Sequence, residues 1–377
     1  MRRASDEERR RLGETFEALC RIESPTGRER PLADWIGREL GRIGLTVEED
    51  GAGPQAGSDS GNLLARVPGR SERSILLCAH MDTVPLTAPV EPVVRDGCWE
   101  NANHGILGAD NKAAVAVLVE LARRLAAPGA VAGAGVELLF TVCEETGLHG
   151  AKAFEVGRLE SPFGYVFDHA SPLGEIVVAS PTHQRIAAEI RGRAAHAGLQ
   201  PEDGRSAILA AARAIGAMSL GRLDEETTAN IGTIAGGTAT NVVPERCRIE
   251  GEVRGLDEAR VQAVVTDVID ALQDAADARE CDLDVTVERM FTAYRTKPGA
   301  AEISLAERAL RATGYEPRLI VTGGGSDANA FRVAGFPCVN VANGTEHPHE
   351  PVERVSVDAL EGALELAIAL VEEAAAG

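Results

Sequence analysis

The sequence predicts an α/β protein with a mostly parallel sheet, interrupted by an inserted module of ferredoxin-like order, βαββαβ. Three observations predict it. Short apolar runs such as SILLCA and LLFTV flank an alanine- and leucine-rich amphipathic stretch, the pattern of parallel strands covered on both faces. After about Ile176 the rhythm changes, and beyond Tyr294 the first rhythm resumes. The chain has 377 residues, above the size at which one hydrophobic core stops growing. Residues 1–177 and 294–377 are therefore read as two parts of one domain, with 178–293 inserted as a second.

Two helices open the chain, at 8–20 and 29–41, where apolar positions recur at helical spacing; Ser24, Pro25, Thr26 and Gly27 separate them. Strands follow at 62–67, 74–79, 136–142 and 165–167, with a helix at 111–125. The insert reads as strand 185–191, helix 205–218, strands 228–234 and 247–254, helix 256–276 and strand 283–289. The return brings a helix at 300–313, a glycine-rich turn TGGGSDAN opening a helix to 334, a strand at 338–342 and a closing helix from 357.

Composition excludes several classes. A formal charge of −20 and the lack of a basic cluster argue against nucleic-acid binding. The basic start MRRASDEERRR leads into no apolar segment, and no stretch is long and apolar enough for a membrane span, so the expectation is a cytoplasmic protein. Seven cysteines form no CxxC pair and leave an odd count, against a disulfide framework or a zinc–thiolate site. Most read as small core residues. Cys143 is a candidate nucleophile by position alone, with no histidine at a suggestive spacing.

The chemistry gathers where strands end. CAHMDTVP closes the strand SILLCA, and His80 and Asp82, two apart in extended chain, point the same way. A carboxylate beside an imidazole is the usual support of a metal-ligating histidine, although a strand-end histidine satisfied by a local aspartate reads the same. In GILGADNKAAVAVL, Asp110 fits a helix N-cap equally well as a ligand at the mouth of a parallel sheet. LLFTVCEETG ends a strand in adjacent glutamates, Glu144 and Glu145. YVFDHA ends one in Asp168, and NGTEHPHEPVE carries His347 and His349 after the strand CVNVA. In a parallel sheet these ends share one edge. Two imidazoles and three carboxylates suit zinc or a similar divalent ion, and a set this large suits two ions, one carboxylate bridging. One glutamate of the pair is then left free as general base.

These motifs resemble a known family, the co-catalytic di-zinc metallopeptidases that include peptidase T, aminoacylase, glutamate carboxypeptidase and succinyl-diaminopimelate desuccinylase. The similarity spans nearly the whole chain and is closest to the peptidase T-like branch, through HMDTVP, LGADNKAAVA, CEETGLHGAK, AAHAG, DEETTANIG, GGTATNVVPE, GGGSDANAF and the closing HEPVE. The resemblance implies a di-zinc exopeptidase domain with an inserted lid or dimerisation domain, and a homodimer through that insert. It assigns His80, Asp110 and Asp168 to one metal and Asp110, Glu145 and His349 to the other. His349 is taken over His347 because the family's ligand stands four residues before a glutamate, here Glu353. Asp82 would orient His80, and Glu144 would move a proton from the metal-bridging water to the leaving amine. A cis peptide is implied between Asp110 and Asn111. His196 would stabilise the oxyanion, its other reading being an ordinary histidine in a Gly/Ala-rich turn. Asn241 and Arg254 match positions that contact substrate. Residues 323–326, including Gly324 and Ser326, would line the site with backbone amides, or simply cap a helix with Ser326. The ions implied are two divalent metals, zinc foremost, with cobalt or manganese as alternatives. Asn111, His104 and His169 depart from the family's pattern and bear on specificity.

The activity expected is hydrolysis of short peptides by a tripeptide aminopeptidase, since an aspartate at position 168 goes in the family with aminopeptidases. An N-acyl amino acid amidohydrolase or carboxypeptidase-type deacylase would use the same machinery. A metal-binding scaffold without catalysis has no need of Glu144. A serine hydrolase built on Ser326 lacks the GxSxG elbow.

Overall fold

The computed structural model describes residues 3–130 and 133–376, so Met1 and Arg2 of the basic start lie outside the described residues. It separates into two compact units, one of Met1–Val178, Arg295–Val321 and Ser326–Gly377, the other of Ala179–Tyr294 and Thr322–Gly325.

At the centre of the first unit lie four parallel strands, in spatial order Gly135–Thr141, Ser74–His80, Gly164–His169 and Cys338–Ala342. Three of them are buried along most or all of their length, which is why their sequences show no alternation. Antiparallel strands flank this centre, Leu63–Val67 and then Val47–Glu49 on one side, Glu175–Ser180 on the other. The sheet is thus mixed. A further parallel strand needs a crossover of about a dozen residues, and residues 170–174 are too few to supply one, so the chain turns back on itself there.

The helix Ala109–Ala126 is buried over most of its surface because it lies between the sheet and the helices Asp6–Cys20 and Val357–Ala376. The first of these outer helices begins in a capping box, Ser5 and Glu8 each satisfying the other's backbone. Among the described residues no helix is long and apolar enough to cross a membrane.

A small antiparallel sheet, unforeseen from sequence, runs in the order Thr345–Glu346, Arg354–Ser356, Cys98–Asn101, Pro92–Arg95. Its strands are too short to register as periodic patterns. Trp99 sets its edge against Phe16, ring centroids 5.6 Å apart. Residues 347–353 form the tip of its hairpin.

The second unit has the element order β-α-β-β-α-β plus a two-residue strand. Its sheet runs Gly221–Arg222, Thr227–Gly236, Arg246–Gly255, Thr182–Arg191, Asp282–Phe291, every pair antiparallel. Helices Ala207–Ala217 and Glu258–Asp277 cover one face through a core that includes Ile186, Ile190, Ile249, Val264 and Leu272. The strand Thr182–Arg191 alternates accordingly, Ile186, Ala188 and Ile190 inward and Arg185 and Arg191 outward. Arg185 meets Glu250 at 2.9 Å on the outer face.

Candidate metal centre

Parallel strands carry their C-terminal ends to one edge, and the first unit places its charged motifs there. His80 ends its strand directly across from Thr141, and Asp168 lies at the end of the next strand. Glu144 and Glu145 follow Thr141 by a short turn. Asp110 begins the helix Ala109–Ala126, and His349 stands on the hairpin tip.

The side chains converge. His80 Nε2 lies 3.1 Å from Asp110 Oδ1 and 3.2 Å from Asp168 Oδ1. His349 Nε2 lies 3.1 Å from Glu145 Oε2 and 3.4 Å from Asp110 Oδ2. Two triads built on Asp110 result, His80–Asp110–Asp168 and Asp110–Glu145–His349, with one oxygen of Asp110 in each, and His80, Glu144 and Glu145 form a third group; the candidate ligand atoms of each lie within 4.8 Å of one another. His80 Nδ1 is 2.9 Å from the backbone carbonyl of Asp82, so this nitrogen holds a proton and donates it, which aims Nε2 at the carboxylates.

Asp110 does not cap its helix. Gly108 is the residue at the N-cap, with φ +77, and Asp110 has the non-helical angles φ −84 and ψ 102. Its peptide bond to Asn111 is cis. The carboxylate, free of capping, turns to the two histidines.

The glutamate pair is held by its backbone. Asp82 Oδ1 accepts the N–H of Glu144 at 2.9 Å and Oδ2 that of Glu145 at 3.2 Å, while Thr26 donates its hydroxyl to Oδ2 at 2.7 Å. The Asp82 carboxylate lies 3.4 Å from His80 Nδ1, farther than its own backbone carbonyl. Burial pushes the Asp82 carboxyl up, but His80 and these donors together hold it below its usual value. One residue earlier, Cys143 takes φ +51 and gives its N–H to Glu29 Oε1 at 3.1 Å. Glu29 is fully buried and also accepts from Gly27 N–H at 3.0 Å and Ser58 hydroxyl at 2.6 Å. Sequence reasoning missed Glu29, which sits where an ordinary helix start was read.

The electrostatics call for cations. Four carboxylates, from Asp110, Glu144, Glu145 and Asp168, share the edge with two imidazoles, and Glu145 Oε1 is buried without a hydrogen-bond partner. Burial, then Asp168, pushes the Glu144 carboxyl well up; burial pushes Asp168 well up too, and raises Glu145. Burial would lower His80, yet Asp168 and Asp110 hold it well above the usual imidazole range. Hydrogen bonds to Asp110 and Glu145 raise His349 to about 10. An acid that clings to its proton and a histidine that gains one both mark a deficit of positive charge, and divalent ions would fill it. The donor set, imidazole nitrogen and carboxylate oxygen without thiolate, fits zinc, cobalt or manganese.

The remaining candidates lie elsewhere. His196 and Asn241 are in the second unit, their loops joined by a bridge between His196 and Val242 and by the Ala197 N–H donated to Asn241 O at 2.9 Å. His196 Nδ1 accepts the N–H groups of Gly198 and Leu199, both at 3.1 Å, which leaves the ring proton on an exposed Nε2. Arg254 forms a two-pronged pair with Glu252 at 2.9 and 3.0 Å and donates to Gly323 O at 3.0 Å. Gly324 receives the Ser180 hydroxyl on its carbonyl at 2.8 Å. Ser326 is buried in the first unit, its N–H donated to Asn329 Oδ1 at 3.1 Å. His347 is exposed and in no ligand triad, and His104 and His169 likewise stand outside them. The Cys143 thiol is buried and pushed up by burial, the opposite of an activated nucleophile.

A family model described as Peptidase family M20/M25/M40 matches residues 76–373. The chain is 37% identical over 367 residues to YqjE of Bacillus subtilis, spanning 97% of this chain and 99% of that one. It is similar in structure to the aminopeptidase PepT from Bacillus cereus, with 37% identity, a TM-score of 0.86 and coverage of 97% and 99% of the two chains. A tripeptidase from Staphylococcus aureus superposes with a TM-score of 0.90 at 33% identity, over 98% of this chain and 99% of that one. The chain belongs to peptidase family M20/M25/M40 and is a metallo-exopeptidase.

Proposed function

We propose that the protein removes the N-terminal residue from short peptides, tripeptides foremost, at a centre of two divalent ions. The observation that carries this reading is the pair of triads that share Asp110, with Glu144 in neither of them but close to His80 and Glu145. The likeness to proteins named an aminopeptidase and a tripeptidase supports the substrate class.

His80, Asp110 and Asp168 would hold one ion and Asp110, Glu145 and His349 the other. Bound there, the ions would polarise the scissile carbonyl and acidify the attacking water. The chain's own residues do the rest. Glu144, its proton affinity raised by burial and by Asp168, takes the proton of the attacking water and delivers it to the leaving amine nitrogen. Asp82 holds Glu144 and Glu145 by their backbone so that one faces the substrate while the other stays with His349. His196 offers Nε2–H to the carbonyl oxygen as that atom gains charge. Asn241 and Arg254 contact the substrate, and the amides around Gly324 and Ser326 receive its carboxylate. Residues 178–293 are an inserted module through which two chains pair, and the protein works in the cytoplasm.

The test is a substrate panel run on the zinc-loaded protein. Tripeptides with a free amino terminus should be cleaved at the first peptide bond, and N-acetyl amino acids or N-blocked peptides should not. Cleavage of the blocked substrates alone would replace this reading with a deacylase or carboxypeptidase.

A further inference from the structure

Glu353 belongs to neither triad, yet it is only 2% exposed and its carboxylate is fully engaged. Oε2 accepts the backbone N–H of Leu107 at 2.8 Å and of Gly108 at 2.7 Å, and Oε1 accepts that of Asp110 at 2.8 Å. Those amides belong to the segment that delivers Asp110. Glu353 itself closes the hairpin tip that carries His349. One side chain therefore ties together two stretches of chain more than two hundred residues apart.

The second triad needs such a tie more than the first. His80 and Asp168 sit at the ends of neighbouring strands in the parallel centre of the sheet, and the Asp168 N–H is further fixed by Asn340 Oδ1 at 2.9 Å. His349 is on a tip between strands of two and three residues, has φ +67, and leaves 49% of its side chain exposed. A ligand with so little support from its own element must be located from outside. We propose that Glu353 is the positioning residue of the second metal position, the carboxylate that sets the Asp110 segment against the His349 hairpin so that Asp110 Oδ2, Glu145 Oε2 and His349 Nε2 meet.

This inference rests on the reading that the triads hold two ions, and the experiment separates the two. Zinc alone is titrated calorimetrically into metal-stripped wild type, Glu353→Gln and Glu137→Gln, and zinc content is measured after dialysis. Glutamine at 353 keeps the shape but turns an N–H₂ toward backbone donors. Glu137 is the control, another carboxylate at 2% exposure that accepts two backbone amides, from Glu160 at 3.0 Å and Ser161 at 2.8 Å, but belongs to no triad. Wild type and Glu137→Gln should bind two ions. Glu353→Gln should bind one as wild type does and the second about 10–100-fold more weakly, the usual loss when the group supporting a ligand is removed. If Glu353→Gln does not fold, Glu353→Asp, which keeps the charge one methylene short, carries the same readout. Two ions at wild-type affinity in the Glu353 variant would overturn the inference, as would an equal loss in Glu137→Gln. Fewer than two ions in wild type would refute the metal-centre reading itself.

Discussion

The Asp82 carboxylate takes the backbone N–H of Glu144 at 2.9 Å, so the side chain that flanks His80 also sets the direction in which the proposed general base leaves the chain. Asn at position 82 has one acceptor oxygen and would set an N–H₂ against one of the two backbone donors. Asp82→Asn should lower kcat on a tripeptide by about 10–100-fold at saturating zinc. Steady-state kinetics beside zinc content check this, and a full kcat with both ions bound would remove Asp82 from the machinery.

Glu144 and Glu145 differ in what they touch, since Glu145 meets His349, whereas Glu144 approaches His80 and Glu145 but belongs to neither triad built on Asp110. Glu144→Gln should therefore keep two zinc ions per chain and lose turnover by about 10²–10⁴-fold, the range typical for removing a general base. Glu145→Gln should lose metal first. Equal zinc loss in the two variants would erase the division of labour.

His196 presents a protonated Nε2 because its Nδ1 is occupied by two backbone donors. His196→Ala should reduce kcat by about 10²–10³-fold, as loss of an oxyanion donor does, with zinc stoichiometry unchanged. A rise in KM alone, with kcat intact, would reassign His196 to substrate binding.

Asp327 is the buried carboxyl to watch as pH changes. Its Oδ2 accepts the Thr141 hydroxyl at 2.5 Å, its Oδ1 has no partner, and burial raises it to about 6. The folded state then binds a proton that the unfolded state has released, so stability falls as pH climbs from about 4 to about 6 and stays lower above. The loss amounts to about 3 kcal/mol at most. Asp327→Asn lacks this titration, so its melting temperature relative to wild type should rise between pH 4 and pH 7 in metal-free buffer. Parallel melting curves across that range would rule the effect out.

The parallel centre of the sheet was legible because a strand covered on both faces must be apolar throughout, as Ser74–His80 nearly is. Strand ends then shared an edge by topology, which placed His80, Asp168 and the glutamate pair near one another before any coordinates. Asp110 was readable two ways, and only the backbone angles decide against the cap. The supports were not legible. Glu29 and Glu353 act by accepting amides from stretches remote in sequence, and a backbone donor leaves no mark in the amino-acid code. The short hairpin that carries His349 escaped for a related reason, since strands of two and three residues have no period to detect.

The strand Cys338–Ala342 enters the sheet beside Gly164–His169 and also pairs with Glu175–Ser180, although both neighbours are made well over a hundred residues earlier. A chain under synthesis therefore carries an open slot in its largest sheet until Cys338–Ala342 has been made. His80, Asp110 and Asp168 have all emerged long before that point, while His349 arrives only as the slot closes. Truncation behind Ala342 would leave the first triad intact in composition and the second without its histidine. Completion of the gap in the sheet and completion of the second ligand set are thus one late event on the growing chain.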